Sequence, residues 1–289
     1  MSEAGSISWP SPAVWTFDWA LADSPDQEGV VVRNAHFRGK KVLHKASLPS
    51  LRVQYVQSCG PFKDPLNYNN AQPTSRCPNT RVCVYSYVSN GLRGLSVESY
   101  HRISAYRLTH RWVFWENGWI SARMFSAGLY CNYDHRHHAY WRLDFDIEGS
   151  GDDLLLEYNN YTGNVGWGAG WSPMNNETSR LKYAPSGRKW AVLDKSTGRG
   201  YQLLPGADDG AADSFSYRDF YAMRYLSTED VNGRQGSASS DGLDAYLNNE
   251  DINGQDLVAW YVGHLSHSAA HGGDDWHSVG PDLAPFGNW

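Results

Sequence analysis

The stretch that most constrains the fold is residues 134–149, Asp-His-Arg-His-His-Ala-Tyr-Trp-Arg-Leu-Asp-Phe-Asp-Ile-Glu-Gly. From Tyr140 onward the residues largely alternate. Tyr140, Arg142, Asp144 and Asp146 fall on one face, and Trp141, Leu143, Phe145 and Ile147 on the other. A period of two is the signature of a half-buried β-strand. On a strand, residues i and i+2 project to the same side, so His135 and His137 can present two imidazoles to one point while His138 points away. Such a pair suits copper, zinc, iron or nickel. The local spacing fits a polar, histidine-rich start to a strand equally well.

The rest of the chain repeats the strand pattern. Strands are expected at 14–21, 29–38, 41–46, 47–55, 82–88, 95–106, 111–115, 119–125, 152–158, 181–183, 189–194, 200–204 and 257–263, and residues 215–225 read as a strand or a short helix. Asn117-Gly118 between apolar runs is a strong hairpin signal. Residues 57–80, rich in Pro, Asn, Cys, Gly and Ser, read as a long loop of the kind more often functional or mobile than idle. A Gly-, Asn- and Trp-rich loop runs through Ser172-Pro173, and a flexible loop is expected over 232–242. Thirteen Trp and eighteen Tyr in 289 residues fit aromatic-rich strands better than a helical bundle. With no internal repeat and no linker, the expected fold class is all-β: an N-terminal arm over residues 1–13, then one large β-sandwich over 14–289.

Composition narrows the function. The net charge of −6, with both signs interspersed, gives no reason to expect a nucleic-acid or anionic-membrane partner. No apolar run approaches the ~18 residues of a membrane span. Cys59, Cys77, Cys83 and Cys131 show no zinc-finger spacing, and their pairing is not legible from spacing. The first residues, Met-Ser-Glu-Ala-Gly, lack a basic region followed by an apolar core, so a cytoplasmic location is the expectation.

Taken together, the motifs resemble a known family, the copper amine oxidases, over their large C-terminal catalytic sandwich. Residues 29–34 and 42–48 resemble the start of that domain, and Trp112-Val113-Phe114-Trp115-Glu116-Asn117-Gly118-Trp119-Ile120 resembles its hairpin. His135-Arg136-His137 followed by Arg142-Leu143-Asp144 is similar to its copper motif. Leu257-Val258-Ala259-Trp260-Tyr261 resembles the strand before its third copper histidine, which falls at His267, and Asp275-Trp276 is similar to the pair beyond it. The resemblance covers roughly residues 14–289. It implies copper(II) on His135, His137 and His267, a tyrosine at Tyr106 that the family converts to topaquinone, and Tyr55 as the tyrosine touching that quinone. It further implies O2 and a small molecule as substrates, a homodimer, and a disulfide joining Cys83 to Cys77 or Cys59. Cys131, close to the metal strand in sequence, reads as an incidental buried thiol.

The departures are specific. Around Tyr106, Arg102 stands where the family has Thr, Ala105 where it has Asn, and Arg107 where it has an acid. At the position of the catalytic aspartate, spacing from Tyr55 lands on Asn69, which cannot accept a proton as a carboxylate does; Asp64 lies nearby in sequence. Ordinary amine oxidation needs that base. The expected activity is therefore a copper- and O2-dependent oxidase of a specialised small molecule, possible without topaquinone. The alternatives are a true primary-amine oxidase with topaquinone at Tyr106, a non-catalytic copper-binding module, and a three-histidine zinc hydrolase.

Overall fold

The computed structural model describes residues 1–23, 27–160, 169–227 and 237–289. Their strands form two sheets whose neighbours run antiparallel. The first, of nine strands, runs in space Ser2–Trp9, Trp15–Ala22, Val31–Phe37, Lys40–Tyr55, His135–Phe145, Leu257–His267, Phe220–Arg224 and Thr178–Arg180, with Phe62–Lys63 attached to Lys40–Tyr55. The second, of eleven, has at its middle Arg199–Leu204, Asp282–Gly287, Ile120–Ala127, Tyr106–Trp115 and Leu92–Ile103. Among the described residues no helix is long and apolar enough to cross a membrane.

The inward faces of the two sheets interleave, as alternation demands. Trp15 and Phe17 of the first sheet meet Phe114 of the second, at 5.0 Å and 4.0 Å. Trp190 of the second lies flat against Phe220 of the first at 4.0 Å. The fully buried Trp112 keeps its indole N–H satisfied by donating to the Val30 carbonyl at 2.8 Å.

One reading of the central strand changes. It is buried on both faces rather than half-buried. Trp141, Leu143 and Phe145 enter the inter-sheet core, while Tyr140 packs outward into a second cluster with Tyr221, Met223, Leu243, Val258, Trp260 and Val262. Segments after residue 204 cover that outer face: the Tyr140 hydroxyl bonds Ser216 at 2.6 Å and donates to Asp241 at 3.0 Å, and receives a bond from Arg52 at 2.9 Å. Hydrogen-bonded partners make a polar face buriable. Asp144 accepts from Arg142 at 3.2 Å.

Boundaries differ where apolar runs hide a turn or conceal continuity. Residues 41–46 and 47–55 are one sixteen-residue strand. The expected strand 95–106 breaks at Ser104, where φ is +53°, so Tyr106 opens the next strand. Residues 181–183 precede a short 3-10 turn and are not a strand. The ambiguous 215–225 segment contains the strand Phe220–Arg224, and the expected strand 257–263 continues to His267. The N-terminal arm carries a strand paired with Trp15–Ala22. Parts of two expected loops, residues 161–168 and 232–236, lie outside the described residues.

Candidate metal centre

Three neighbouring strands at the middle of the first sheet set the site by register. His135 lies opposite Tyr55 on one side and His267 on the other. Residues directly opposite in a sheet share a face, so this one row aligns Tyr55, His135 and His267 toward the opposite sheet. Two residues along, His137 joins them. The His135 ring centroid is 5.1 Å from that of His137, 5.0 Å from that of His267, and 4.8 Å from the stacked Tyr55 ring. Tyr106 arrives from the second sheet, its ring 4.8 Å from His137 and 5.5 Å from His135, and its hydroxyl is hydrogen-bonded to that of Tyr55. All five are buried, none more than 5% exposed.

The nitrogen lone pairs are fixed by backbone carbonyls. His267 Nε2 donates to the Gly272 carbonyl at 2.9 Å, which leaves Nδ1 as the bare nitrogen. His135 Nδ1 faces the Tyr133 carbonyl at 3.4 Å, which leaves Nε2. Among the described residues, His135 Nε2, His267 Nδ1 and both nitrogens of His137 are buried with no hydrogen-bond partner. Burial, then repulsion from His137 and His267, pulls His135 down to about 3, and burial lowers His267 as well. Neutral imidazoles whose other nitrogen is held by a carbonyl are the form that binds metal. The donor set therefore fits copper or zinc, although among the described residues no three His, Cys, Asp or Glu side chains are already closed on one point as a ligand shell.

The structure brings together all five residues singled out by sequence, and sets beside them Asp64, which the sequence marked only as near the position of the expected base. Asp64 is buried, with Oδ2 3.6 Å from His137 Nε2 and no hydrogen-bond partner on that oxygen among the described residues. The short strand Phe62–Lys63 explains its position: Phe62 pairs with Val53, Val53 pairs with His137, and Asp64 N donates to Leu51 O at 2.8 Å. The sequence signal was faint, a two-residue strand inside the 57–80 loop. Asn69, reached by counting, is exposed and donates to Asp23 instead. His138 points to the other face, as alternation requires, with Nδ1 2.8 Å from His264 Nδ1.

The cysteines pair as Cys77–Cys83 and Cys59–Cys131. Cys131 is therefore not an incidental thiol. Its backbone N–H, with that of Tyr130, donates to the Tyr55 hydroxyl at 3.4 and 3.3 Å, so the bridge ties the 57–80 loop to the segment capping Tyr55. Burial raises the Tyr55 phenol above its usual value. Outside this cluster a cavity of about 410 Å³, lined by Gln54, Tyr55, Asp134, His135, Arg136 and His267 among others, opens toward solvent.

This sandwich superposes on amine oxidase structures. Aspergillus nidulans amine oxidase matches with a TM-score of 0.77 and 15% identity, over 97% of this chain and 51% of that one. The fold is that of the copper amine oxidases. A copper-containing benzylamine oxidase from Hansenula polymorpha matches at 0.75 and 14%, over 97% of this chain and 59% of that one. Pichia pastoris lysyl oxidase matches at 0.75 and 14%, over 94% and 51%. This chain thus spans roughly half the length of these oxidases. No family model matches the sequence, and no curated protein matches it. At these identities the likeness is one of fold, and function rests on the site.

Proposed function

We propose that this chain is a copper-dependent oxidase that uses O2 to oxidise a small molecule, with His135, His137 and His267 holding the ion. The observation that carries the reading is the meeting of two sheets: three imidazoles with buried, bare nitrogens on one, against the buried phenol of Tyr106 on the other. When bound, copper would supply one-electron exchange with dioxygen and with an adjacent phenol. The protein's own contribution is positional. Tyr55 holds the Tyr106 hydroxyl while its own oxygen takes two backbone N–H bonds, so both phenols are fixed in place. Asp64 is the carboxylate placed to take a proton beside His137, the part that Asn69 cannot play. The 410 Å³ cavity has the size of a small-molecule pocket. Two disulfides fit an oxidising compartment, in place of the cytoplasmic expectation.

A three-histidine zinc hydrolase is the second reading, favoured by the same Asp64, which supplies the general base such an enzyme needs. Metal-free protein given copper in air separates the readings. We expect one copper per chain, O2 uptake with a panel of amines or phenols, and loss of stoichiometric copper in His135→Ala and His137→Ala. Full copper occupancy in either variant would sink the ligand assignment. Intact mass and visible absorption then decide the state of Tyr106: two added oxygens, two lost hydrogens and a band that shifts with phenylhydrazine mark topaquinone and amine oxidation. An unmodified Tyr106 with O2 uptake points to oxidation of another substrate without a quinone. Zinc retention with no O2 uptake supports the hydrolase.

A further inference from the structure

The imidazoles do not stop at His267. The His277 ring lies 4.5 Å from that of His267, and the His271 ring lies 5.5 Å from His277 and 6.5 Å from His267. Five histidines therefore form one continuous row in the order His137, His135, His267, His277, His271. Exposure climbs along it. His137, His135 and His267 are buried, His277 is half-buried, and His271 is exposed. The Nε2 of His277 is itself buried, with no hydrogen-bond partner among the described residues.

The outer members are held in place. Asp134, the residue before the metal strand, accepts from the Ala269 N–H at 2.7 Å and from the Ser268 hydroxyl at 3.0 Å. That pins the 3-10 turn Ala269–His271 beside His135. His277 is on a short strand, His277–Val279, opposite Ser126 of the second sheet. The row thus bridges the edge of the sandwich from the inner face of one sheet to the other.

A divalent ion reaching His135 and His137 must shed its water, and burying a bare ion is prohibitive unless ligands replace that water step by step. We propose that His271 and His277 form a solvent-facing capture site for a late first-row divalent metal ion, and that His267 passes the ion from them to His135 and His137. Rings about one ligand-exchange step apart let one imidazole bind before another lets go, and borderline ions such as copper(II) and zinc(II) are those that imidazole selects. The inference rests on the buried centre proposed above.

The test is stopped-flow loading of the full metal-free chain with limiting copper(II), with zinc(II) as a second probe, followed by electron paramagnetic resonance of the copper-loaded protein. In His271→Ala/His277→Ala we expect final occupancy and the final copper spectrum to match wild type, with loading slowed on the order of tenfold or more. Loading at the wild-type rate overturns the capture site. Loss of the ion from this variant, with retention in His135→Ala, overturns the handover and places the ion on the outer pair instead. Absence of binding in the wild type itself overturns the buried centre and the relay with it, a result distinct from an unchanged rate.

Discussion

The bridge between Cys59 and Cys131 closes a loop of 72 residues, whereas that between Cys77 and Cys83 closes one of 6. Cross-linking restricts the unfolded chain by an entropy that grows with the logarithm of loop length. At 25 °C that relation gives about 4 kcal/mol for the long loop and about 2 kcal/mol for the short one. The short bridge is nested within the long one and shortens it too little to alter the comparison. The long bridge also has a local effect: it fixes the segment whose Tyr130 and Cys131 N–H groups hold the Tyr55 hydroxyl. Two paired substitutions isolate the terms, Cys59→Ser/Cys131→Ser and Cys77→Ser/Cys83→Ser, each unfolded in urea without reductant. We expect the first to lose roughly twice the stability of the second, and to alter the near-ultraviolet tyrosine signal, which the second leaves unchanged. A larger loss from the short pair would refute the loop argument, and free thiols in the native oxidised protein would refute the pairing.

Tyr55→Phe keeps the ring stacked on His135 but strips the acceptor from two N–H groups and the partner from Tyr106. Leaving such groups unsatisfied in a buried place costs about 1–3 kcal/mol. Urea unfolding reads the loss, and a variant as stable as wild type would show that these bonds carry no net weight. His110 is fully buried, accepts the Val30 N–H on Nδ1 at 3.1 Å, and is pulled down to about 3, first by burial and then by His101. Unfolded it gains a proton near pH 6.5, while folded it stays neutral to about 3, so its contribution is full above 6.5 and is lost as pH falls toward 3. Relative to His110→Gln, the metal-free wild type should therefore lose about 1.3 kcal/mol between pH 7 and pH 5.5. Parallel stability curves over that range would contradict a neutral buried His110.

What was legible in the sequence follows from the kind of order each feature carries. Alternation is local, so the sandwich and the shared face of His135 and His137 could be read directly. His267 lies 130 residues beyond His137, and only the family resemblance marked it, because the pairing that sets it opposite His135 is a long-range register. Asp64 was obscured for the same reason: a two-residue strand holds it, and counting along a loop does not measure distance across one. The burial of Arg142 was invisible because its guanidinium lies over the Tyr225 ring, far later in the chain, and polar residues on a strand ordinarily imply solvent. The pairing of Cys59 with Cys131 likewise depends on the loop folding back over Tyr55.

That division bears on how the proposed chemistry can vary. The three histidines sit on adjacent strands of one sheet, and their spacing is fixed by backbone pairing that substitutions elsewhere barely disturb. Tyr106 belongs to the other sheet and begins its strand directly after a turn, so its placement depends on inter-sheet packing and on the hairpin at Ser104-Ala105. Arg102 and Arg107, which replace the family's Thr and acid, are direct partners across that hairpin. Arg107 leans outward to the Gly273 carbonyl and Asp274 rather than toward the histidines. The altered motif therefore changes the support of the phenol, while the register that aligns His135, His137 and His267 is set within the other sheet. On this geometry metal binding and phenol chemistry are separable, and a chain can keep the first while the second is retuned or lost.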